Sequence, residues 1–334
     1  MAPKSYRAAV IGCGRIGCGF IKDTLRGAIS THAGSYVAVE GVNLVAICDR
    51  KRELVEQCAE DLGVCAYQNY HKMMEGKHLD IVSICTPPET HCEILHSVSG
   101  YNSVKAIYCE KPIAVNRAAA EYMIQVCNER NILLMINHQR RFSPLHQEIA
   151  RIIREGELGR IQQVTCYYGG GVFDSGSHLF DLLRFYLGEV NVMRGHWSHN
   201  VSHRPGDPNI DGWLRLDDGT LVSIQACDAS AYAIFEISIL GTEGRLRVTD
   251  KGRRAALEHI EVCPTFTGIR ELSEATFLPL SLPHATQDCW IPHGIWHMLD
   301  CLRMGKQSIS SGEDGLAALK IIEALISSAR RGGG

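Results

Sequence analysis

The sequence predicts an α/β protein in two parts: a doubly wound parallel sheet over residues 1–140, and a second α/β domain with a mostly antiparallel sheet over residues 141–334. Three observations predict it. Short apolar runs alternate with helix-like stretches as far as Asn137, the pattern of βα units. A glycine-rich stretch, Gly12-Cys13-Gly14-Arg15-Ile16-Gly17, follows the first apolar run at once. Beyond Asn137 the chain changes to alternating segments divided by frequent turns, and strictly alternating strands suit an antiparallel sheet with one face solvated.

The elements follow in order. Ala8 to Ile11 is apolar enough for a buried parallel strand, and Val42 to Cys48 is a second. Leu54 to Leu62 reads as a helix and Asp80 to Cys85 as a strand, stopped by Thr86-Pro87-Pro88 because proline forces the residue before it into extended backbone. Glu89 to Val98 is a helix, Ala106 to Cys109 a strand ending in Glu110-Lys111-Pro112, Ala118 to Glu129 a helix and Ile132 to Ile136 a strand. In the second part, Pro144 to Glu155 reads as a helix and Ile161 to Tyr168 as a strand. Asp217-Asp218-Gly219 between two alternating runs is a hairpin signal. Glu313 to Arg330 is a closing helix, and periodicity fades between Lys251 and Trp290.

The glycine stretch fits G-x-G-x-x-G. In that pattern the first glycine makes a tight turn, the second lets a pyrophosphate approach the backbone, and the third lets helix and strand pack closely, with phosphates at the helix N-terminus. The second strand ends in Asp49, an acid able to accept both ribose hydroxyls of an adenosine. Asp49 would repel a 2′-phosphate, which favours NAD. Arg50, Lys51 and Arg52 beside it keep NADP as the alternative.

Composition narrows the class further. The chain has 334 residues and a net charge of −3, from 34 Lys and Arg against 37 Asp and Glu, which gives no electrostatic case for nucleic acid. No apolar run approaches the roughly 20 residues of a membrane span. Met1 to Ser5 leads straight into the first strand, so no signal peptide is expected. The 14 cysteines show no C-x-x-C spacing and are expected to be reduced packing residues of a cytoplasmic chain. Cys48, Cys85 and Cys109 stand at strand ends, where reactivity and simple burial are both open readings.

The stretch Gly169-Gly170-Gly171-Val172-Phe173-Asp174-Ser175-Gly176-Ser177-His178 puts an acid and an imidazole four residues apart at the start of a helix, on one helical face. Asp181 is one turn further along. Leu179, Leu182, Leu183, Tyr186 and Leu187 form the apolar stripe, so His178 faces elsewhere. Ser175 or Ser177 is the expected cap. Asp174 and His178 are both metal-ligand types, but no third ligand has suitable spacing and no metal is expected.

These segments together resemble the Gfo/Idh/MocA oxidoreductases. The matching pieces are the Gly12-to-Gly17 loop, Thr86-Pro87-Pro88 with His91, Glu110-Lys111-Pro112, Asn137-His138-Gln139-Arg140-Arg141-Phe142, and Asp174 to His178 with Asp181; they run in family order over about two-thirds of the chain. The resemblance implies an N-terminal Rossmann domain and a C-terminal α/β domain whose large open sheet builds dimers or tetramers. It implies sugar, cyclitol or nucleotide-sugar substrates, and Lys111, Asp174 and His178 as the catalytic set. Cofactor contacts are then expected from Gly12, Gly14, Arg15, Ile16, Gly17, Asp49, Arg50, Thr86, Pro87, His91, Glu110 and Lys111.

The chemistry suits those residue types. Oxidising a secondary alcohol removes a hydride and a proton; a neutral His178 is a fitting base, and Lys111 can stabilise alkoxide charge. Asp174 can orient hydroxyls or polarise His178. His138 and Arg141 are the further substrate candidates; for Arg140 and Arg141, surface ion pairing is the competing reading. Trp197 and His293 carry weaker signals. Two other classes remain: a glycosidase using NAD transiently, and a non-catalytic sugar-binding relative.

One departure stands out. The acid is expected about 20 residues past the glycine motif, but Asp49 is 32 beyond Gly17. Either an insertion, roughly Cys18 to Thr31, follows the phosphate loop, or the first helix is longer with a longer turn at its far end. The insertion is rich in apolar residues and glycine, and on the first reading it is expected to line or cover the cofactor cleft.

Overall fold

The computed structural model describes residues 5–19, 23, 28–279 and 290–332. The chain divides into two compact units, Met1–Phe142 with His284–Ala317, and Ser143–Pro283 with Ala318–Gly334. The first break is two residues from the expected 140/141 boundary. What the sequence pattern did not reveal is the return of a later segment to the first unit.

In the first unit, β1 (Tyr6–Ile11), β2 (Val42–Cys48), β3 (Cys65–Tyr67), β4 (Ile81–Ile84), β5 (Ala106–Cys109) and β6 (Leu133–Ile136) form one parallel sheet in the order β3-β2-β1-β4-β5-β6. Strand order reverses between β1 and β4, the switch point at which a doubly wound sheet opens a crevice beyond its carboxyl ends. The helices of this half are α1 (His32–Ala38), α2 (Arg52–Leu62), α3 (Tyr70–Gly76), α4 (His91–Ser99) and α5 (Arg117–Glu129). The returning segment supplies a further helix, α8, after α6 and α7 of the second unit; α8 (Ile291–Met304) packs on α1, burying Ile295, Met298 and Leu299 beside Ala33, Tyr36 and Val39.

The insertion question is settled by two hydrogen bonds. His32 donates its backbone N–H to Ile16 O, and Ala33 to Gly17 O, each at 3.0 Å. Both pairs are sixteen positions apart, whereas a helical bond spans four. Twelve residues are therefore looped out between the first helical turn and α1, directly after the phosphate loop. The alternative fails: α1 ends at Ala38 and β2 begins at Val42. Setting the twelve aside, Asp49 stands 20 positions from Gly17, the ordinary interval. Half of the segment expected to cover the cleft, residues 20–22 and 24–27, lies outside the described residues.

In the second unit, α6 (Pro144–Arg154) and α7 (Ser177–Leu187) pack on a nine-stranded sheet built from β7 (Ile161–Tyr168), β8 (Val190–Trp197), β9 (Ile210–Leu216), β10 (Leu221–Ala226), β11 (Phe235–Gly241), β12 (Gly244–Thr249), β13 (Arg254–Val262), β14 (Arg270–Leu272) and β15 (Thr276–Phe277). Only β7 and β10 pair in parallel; the rest of the sheet is antiparallel. Leu145, Ile149 and Ile152 of α6 and Leu179, Leu182 and Leu183 of α7 are buried with Val164, Cys166, Leu214, Val222, Ile237 and Leu246 of the strands. The closing helix α9 (Gly312–Arg330) contains the boundary between the units, and its Ile322 and Leu325 join this second core.

Candidate active site

At the carboxyl ends of β1, β2 and β4 a cavity of about 410 Å³ is lined by Gly12, Gly14, Cys48, Asp49, Arg50, Lys51, Tyr70, Cys85, Thr86 and Pro87 among others. A larger cavity, about 530 Å³, opens between Lys105, Leu133 and Gly312. It lies by the amino ends of β5 and β6, away from the edge at which such sheets hold ligands.

The last two glycines of the phosphate loop have different reasons to be glycine. A Cβ on Gly17 would stand 1.9 Å from Gly12 O, so the helix start can approach β1 only without a side chain. Gly14 also lines the cavity, yet a Cβ there would meet no atom of the described residues within 4 Å. Among the described residues nothing demands glycine at position 14. A pyrophosphate lying on the backbone would, and the loop therefore fits a dinucleotide. Asp49 is half-buried at the cavity wall; its Oδ2 accepts the Cys13 N–H at 2.8 Å and its Oδ1 the Lys51 N–H at 2.9 Å. Arg15 is exposed, and Ile16 is half-buried against the core.

Around this loop the thiols are buried. Burial pushes Cys48 up to about 12, with Cys13 and Asp49 adding repulsion. Burial raises Cys85 and Cys109 well above the ordinary thiol value, and the Glu110 carboxylate adds to it. The described cysteines are all free, and those at the strand ends are packing residues.

Glu110, at the end of β5, is the hub of a buried network. Its Oε1 accepts from His32 Nε2 at 3.0 Å and from Asn137 Nδ2 at 2.5 Å, and its Oε2 accepts the Lys111 N–H at 3.2 Å. Tyr108 Oη donates to Asn137 Oδ1 at 2.6 Å. His32 Nδ1 meets Ser83 Oγ at 2.9 Å, and Ser83 meets Tyr36 Oη at 2.8 Å. An ionised carboxylate only accepts, so Nε2 is the donating nitrogen of His32. Burial alone would raise the Glu110 pKa. The His32 and Asn137 hydrogen bonds and the nearby Lys111 charge outweigh it, and the carboxyl sits below its ordinary value. The network holds the backbone that presents Lys111, rather than facing the cavity itself.

Other expected residues have structural tasks. His91 is fully buried; its Nε2 lies 2.8 Å from Thr86 O and its Nδ1 3.2 Å from Ile113 O, so it ties the two strand-end turns together instead of lining the cavity. Arg141 is buried, with Nη1 donating to Ile309 O at 2.6 Å and pairing with Asp314 Oδ1 at 3.0 Å. Arg141 is thus ion-paired, but buried and not on the surface as the competing reading had it. His138 is buried, and Thr86 and Pro87 line the cavity. Lys111 belongs to the first unit, Asp174 and His178 to the second.

In the second unit, Asp174 sits in a π-turn, Val172–Gly176, that leads into α7, closed by Gly176 N–H donating to Gly171 O at 2.9 Å. The wider turn re-aims the residues at a helix start, a recurrent feature of functional positions. Neither expected serine caps it: Ser177 Oγ donates back to Asp174 O at 2.8 Å. The four leading N–H groups are instead satisfied from the loop between β8 and β9. Gly171 donates to Asn209 Oδ1 at 3.0 Å, Val172 to Pro208 O at 2.9 Å, Phe173 to Asp207 Oδ1 at 2.8 Å and Asp174 to Asp207 Oδ2 at 2.9 Å. Gly171 has φ +92°, and a Cβ there would lie 2.1 Å from Asp207 Cγ, so only glycine admits that carboxylate. Arg204 Nη2 lies 2.6 Å from Asp174 Oδ2. Sequence reasoning missed Arg204, Asp207 and Asn209; the Pro205-Gly206 turn signal between them was the clue available.

Comparison with known proteins agrees with both halves. A family model described as the GFO/IDH/MocA oxidoreductase family, NAD-binding Rossmann fold, matches residues 6–138, and the GFO/IDH/MocA C-terminal domain matches residues 167–247. The D-apiose dehydrogenase of Paraburkholderia graminis is 25% identical over 352 aligned positions, covering 98% of this chain and 89% of the relative. The inositol 2-dehydrogenase of Rhizobium meliloti is 23% identical over 354, covering 97% of each. The WlbA dehydrogenase of Bordetella pertussis, solved with NADH and UDP-GlcNAcA, superposes with a TM-score of 0.78 at 22% identity over 98% of each chain.

Proposed function

Because this chain belongs to the GFO/IDH/MocA oxidoreductase family, whose first domain is an NAD-binding Rossmann fold, we propose that it moves a hydride between NAD and a secondary alcohol of a sugar, cyclitol or nucleotide-sugar. The observation that carries this reading is Gly14, which no described residue requires to be glycine, on the wall of a cavity that also holds Asp49. Relatives over nearly the full chain are named as apiose and inositol dehydrogenases, which supports the polyhydroxylated substrate class.

The bound nicotinamide supplies the hydride acceptor. The chain's residues handle orientation and the proton. His178 takes the hydroxyl proton on an imidazole nitrogen, the work of a general base. Lys111, its backbone fixed through Glu110, donates a hydrogen bond to the same oxygen and stabilises the negative charge that develops there. Asp174 accepts from substrate hydroxyls and fixes which carbon is presented. Gly12, Gly14 and the start of the following helix hold the phosphates, and Asp49 the ribose.

The outward face of the nine-stranded sheet exposes Tyr167, Trp213 and Leu240, at 36%, 45% and 37%. The strand register puts them on one face: Trp213 pairs with Ser223 and Ser223 with Thr165, two residues from Tyr167, while Leu240 pairs with Gln163. Exposed aromatic and aliphatic residues on one sheet face support a homodimer or homotetramer built through it. The free described cysteines fit a cytoplasmic setting.

The test is absorbance at the NADH band with NAD and a panel of cyclitols, pentoses, anhydrosugars and nucleotide-sugars. Stoichiometric NADH from one member supports the reading. Release of a sugar without net NADH would replace it with the glycosidase reading.

A further inference from the structure

Between β8 and β9 the chain makes one tight turn, Arg204-Pro205-Gly206-Asp207, closed by Asp207 N–H donating to Arg204 O at 3.1 Å. Gly206 has φ +79°, the left-handed value that the third position of a type II turn requires, and Pro205 occupies the second position, where its fixed φ is already correct. The turn is stiff, and its first and last residues both grip one other residue. Arg204 Nη2 is 2.6 Å from the Asp174 carboxylate, and the Asp207 carboxylate accepts the backbone N–H of Asp174 at 2.9 Å and of Phe173 at 2.8 Å.

We propose that this turn is a positioning device for Asp174: Arg204 fixes the direction of its carboxylate, and Asp207 fixes the backbone that carries it. The proposal rests on the reading that Asp174 serves the chemistry. The Asp207 half also satisfies two leading N–H groups of the turn, whereas the Arg204 half is accounted for neither by capping nor by burial. The Asp174 side chain is one-third exposed and the Arg204 side chain half exposed, so an ion pair here contributes little to folding. A fixed geometry is what remains to be gained from it. Arg204 holds Oδ2 of the Asp174 carboxylate, which fixes the direction in which that carboxylate is presented. The Asp207 carboxylate also lies at the N-terminal end of the π-turn, where negative charge is favoured, so Asp174 need not turn inward to cap its own helix.

The test compares Arg204→Gln, Arg204→Lys, Asp207→Ala and Asp174→Asn in the full-length protein. The assay uses NAD and whichever of myo-inositol, D-apiose and levoglucosan is oxidised fastest, with amide hydrogen exchange followed in parallel. Arg204→Gln is expected to lower kcat about tenfold to a hundredfold, the scale of a misplaced catalytic contact, with Tm and NAD affinity unchanged. Arg204→Lys is expected to recover most of the loss. Adding Arg204→Gln to Asp174→Asn should cost nothing further, because the two act as one unit. Asp207→Ala is expected to speed exchange at the Phe173 and Asp174 amides and to lower Tm modestly, as loss of a helix cap does. Wild-type kcat in Arg204→Gln beside an impaired Asp174→Asn would overturn the proposal alone, as would unchanged exchange in Asp207→Ala. Wild-type turnover in Asp174→Asn would overturn the reading of Asp174 beneath it.

Discussion

The Asp49 carboxylate accepts the backbone N–H of Cys13 at 2.8 Å, which ties the acid ending the second strand to the middle of the phosphate loop. Its position over the loop is therefore fixed before any ligand arrives. A 2′-phosphate would meet that fixed negative charge, whereas two ribose hydroxyls would find an acceptor. NAD is expected to bind more tightly than NADP, and Asp49→Ser should narrow or invert the preference, helped by the neighbouring Arg50 and Lys51 on the cavity wall. Titration of both cofactors against wild type and variant checks this; a tighter wild-type constant for NADP would refute it.

The glycines at 14 and 17 should separate binding from folding. Gly17→Ala forces a methyl group to 1.9 Å from Gly12 O and is expected to destabilise the protein by about 1–3 kcal/mol or more. Gly14→Ala meets no atom of the described residues within 4 Å and should leave the melting temperature of the ligand-free protein unchanged. Its NAD affinity should fall about tenfold or more, equivalent to ~1.4 kcal/mol. Calorimetric melting and cofactor titration on the pair decide it; unchanged NAD affinity in Gly14→Ala would remove the argument for the pyrophosphate's place.

Lys111→Ala and His178→Ala should each reduce kcat by about a hundredfold or more, since a positioned acid or base typically gives 10²–10⁴. His178→Ala should leave NAD affinity nearly intact, because the phosphate loop and Asp49, not His178, are the residues proposed to hold the cofactor. Steady-state kinetics with the fastest substrate is the measurement, and near-wild-type turnover in His178→Ala would give the base to another residue.

Glu110 predicts an acid limb in stability. Its folded pKa lies below the ordinary 4.5, so the folded protein binds its proton less readily than the unfolded chain. The resulting stabilisation is complete above the ordinary value and is lost as pH falls through the depressed one. Glu110→Gln should cost about 1–3 kcal/mol at neutral pH, through the charged hydrogen bonds to His32 and Asn137. The gap between wild type and variant should close as pH falls below 4.5. Chemical denaturation at a series of pH values measures it; a gap independent of pH would mean that the carboxylate charge is not what stabilises the network.

Much of this was legible in the sequence, where local pattern and local physics coincide. The runs for β2, β5 and β7 match the observed strands end to end, since buried strands read as continuous or alternating apolar segments. β3 was missed because three residues at a sheet edge carry no period. α8 was missed because Pro292 and Gly294 look like helix breakers. Proline is at home in a helix's first turn, and Gly294 is there because a Cβ would fall 2.3 Å from Tyr108 Oη, a contact with a strand far away in sequence. The Asp174 turn was misread for the same kind of reason. Its cap was sought in the adjacent serines, but the donors are satisfied from Asp207 to Asn209, more than thirty residues on. His91 and Arg141 were placed by type and neighbourhood; what their nitrogens face is a matter of tertiary packing, which spacing does not encode.

The bonds from His32 to Ile16 and from Ala33 to Gly17 also make the first helix a graft point. The chain departs and rejoins one helical step apart, so the helix below the junction is indifferent to how many residues make the excursion, and the entropy of closing such a loop grows only slowly with its length. Segments of other sizes and compositions can be exchanged there while α1, β2 and Asp49 keep their register with the phosphate loop. Any comparison that measures the distance from the last glycine to the ribose acid in residues will misplace the acid in this protein; measured in hydrogen-bonded steps, the interval does not change.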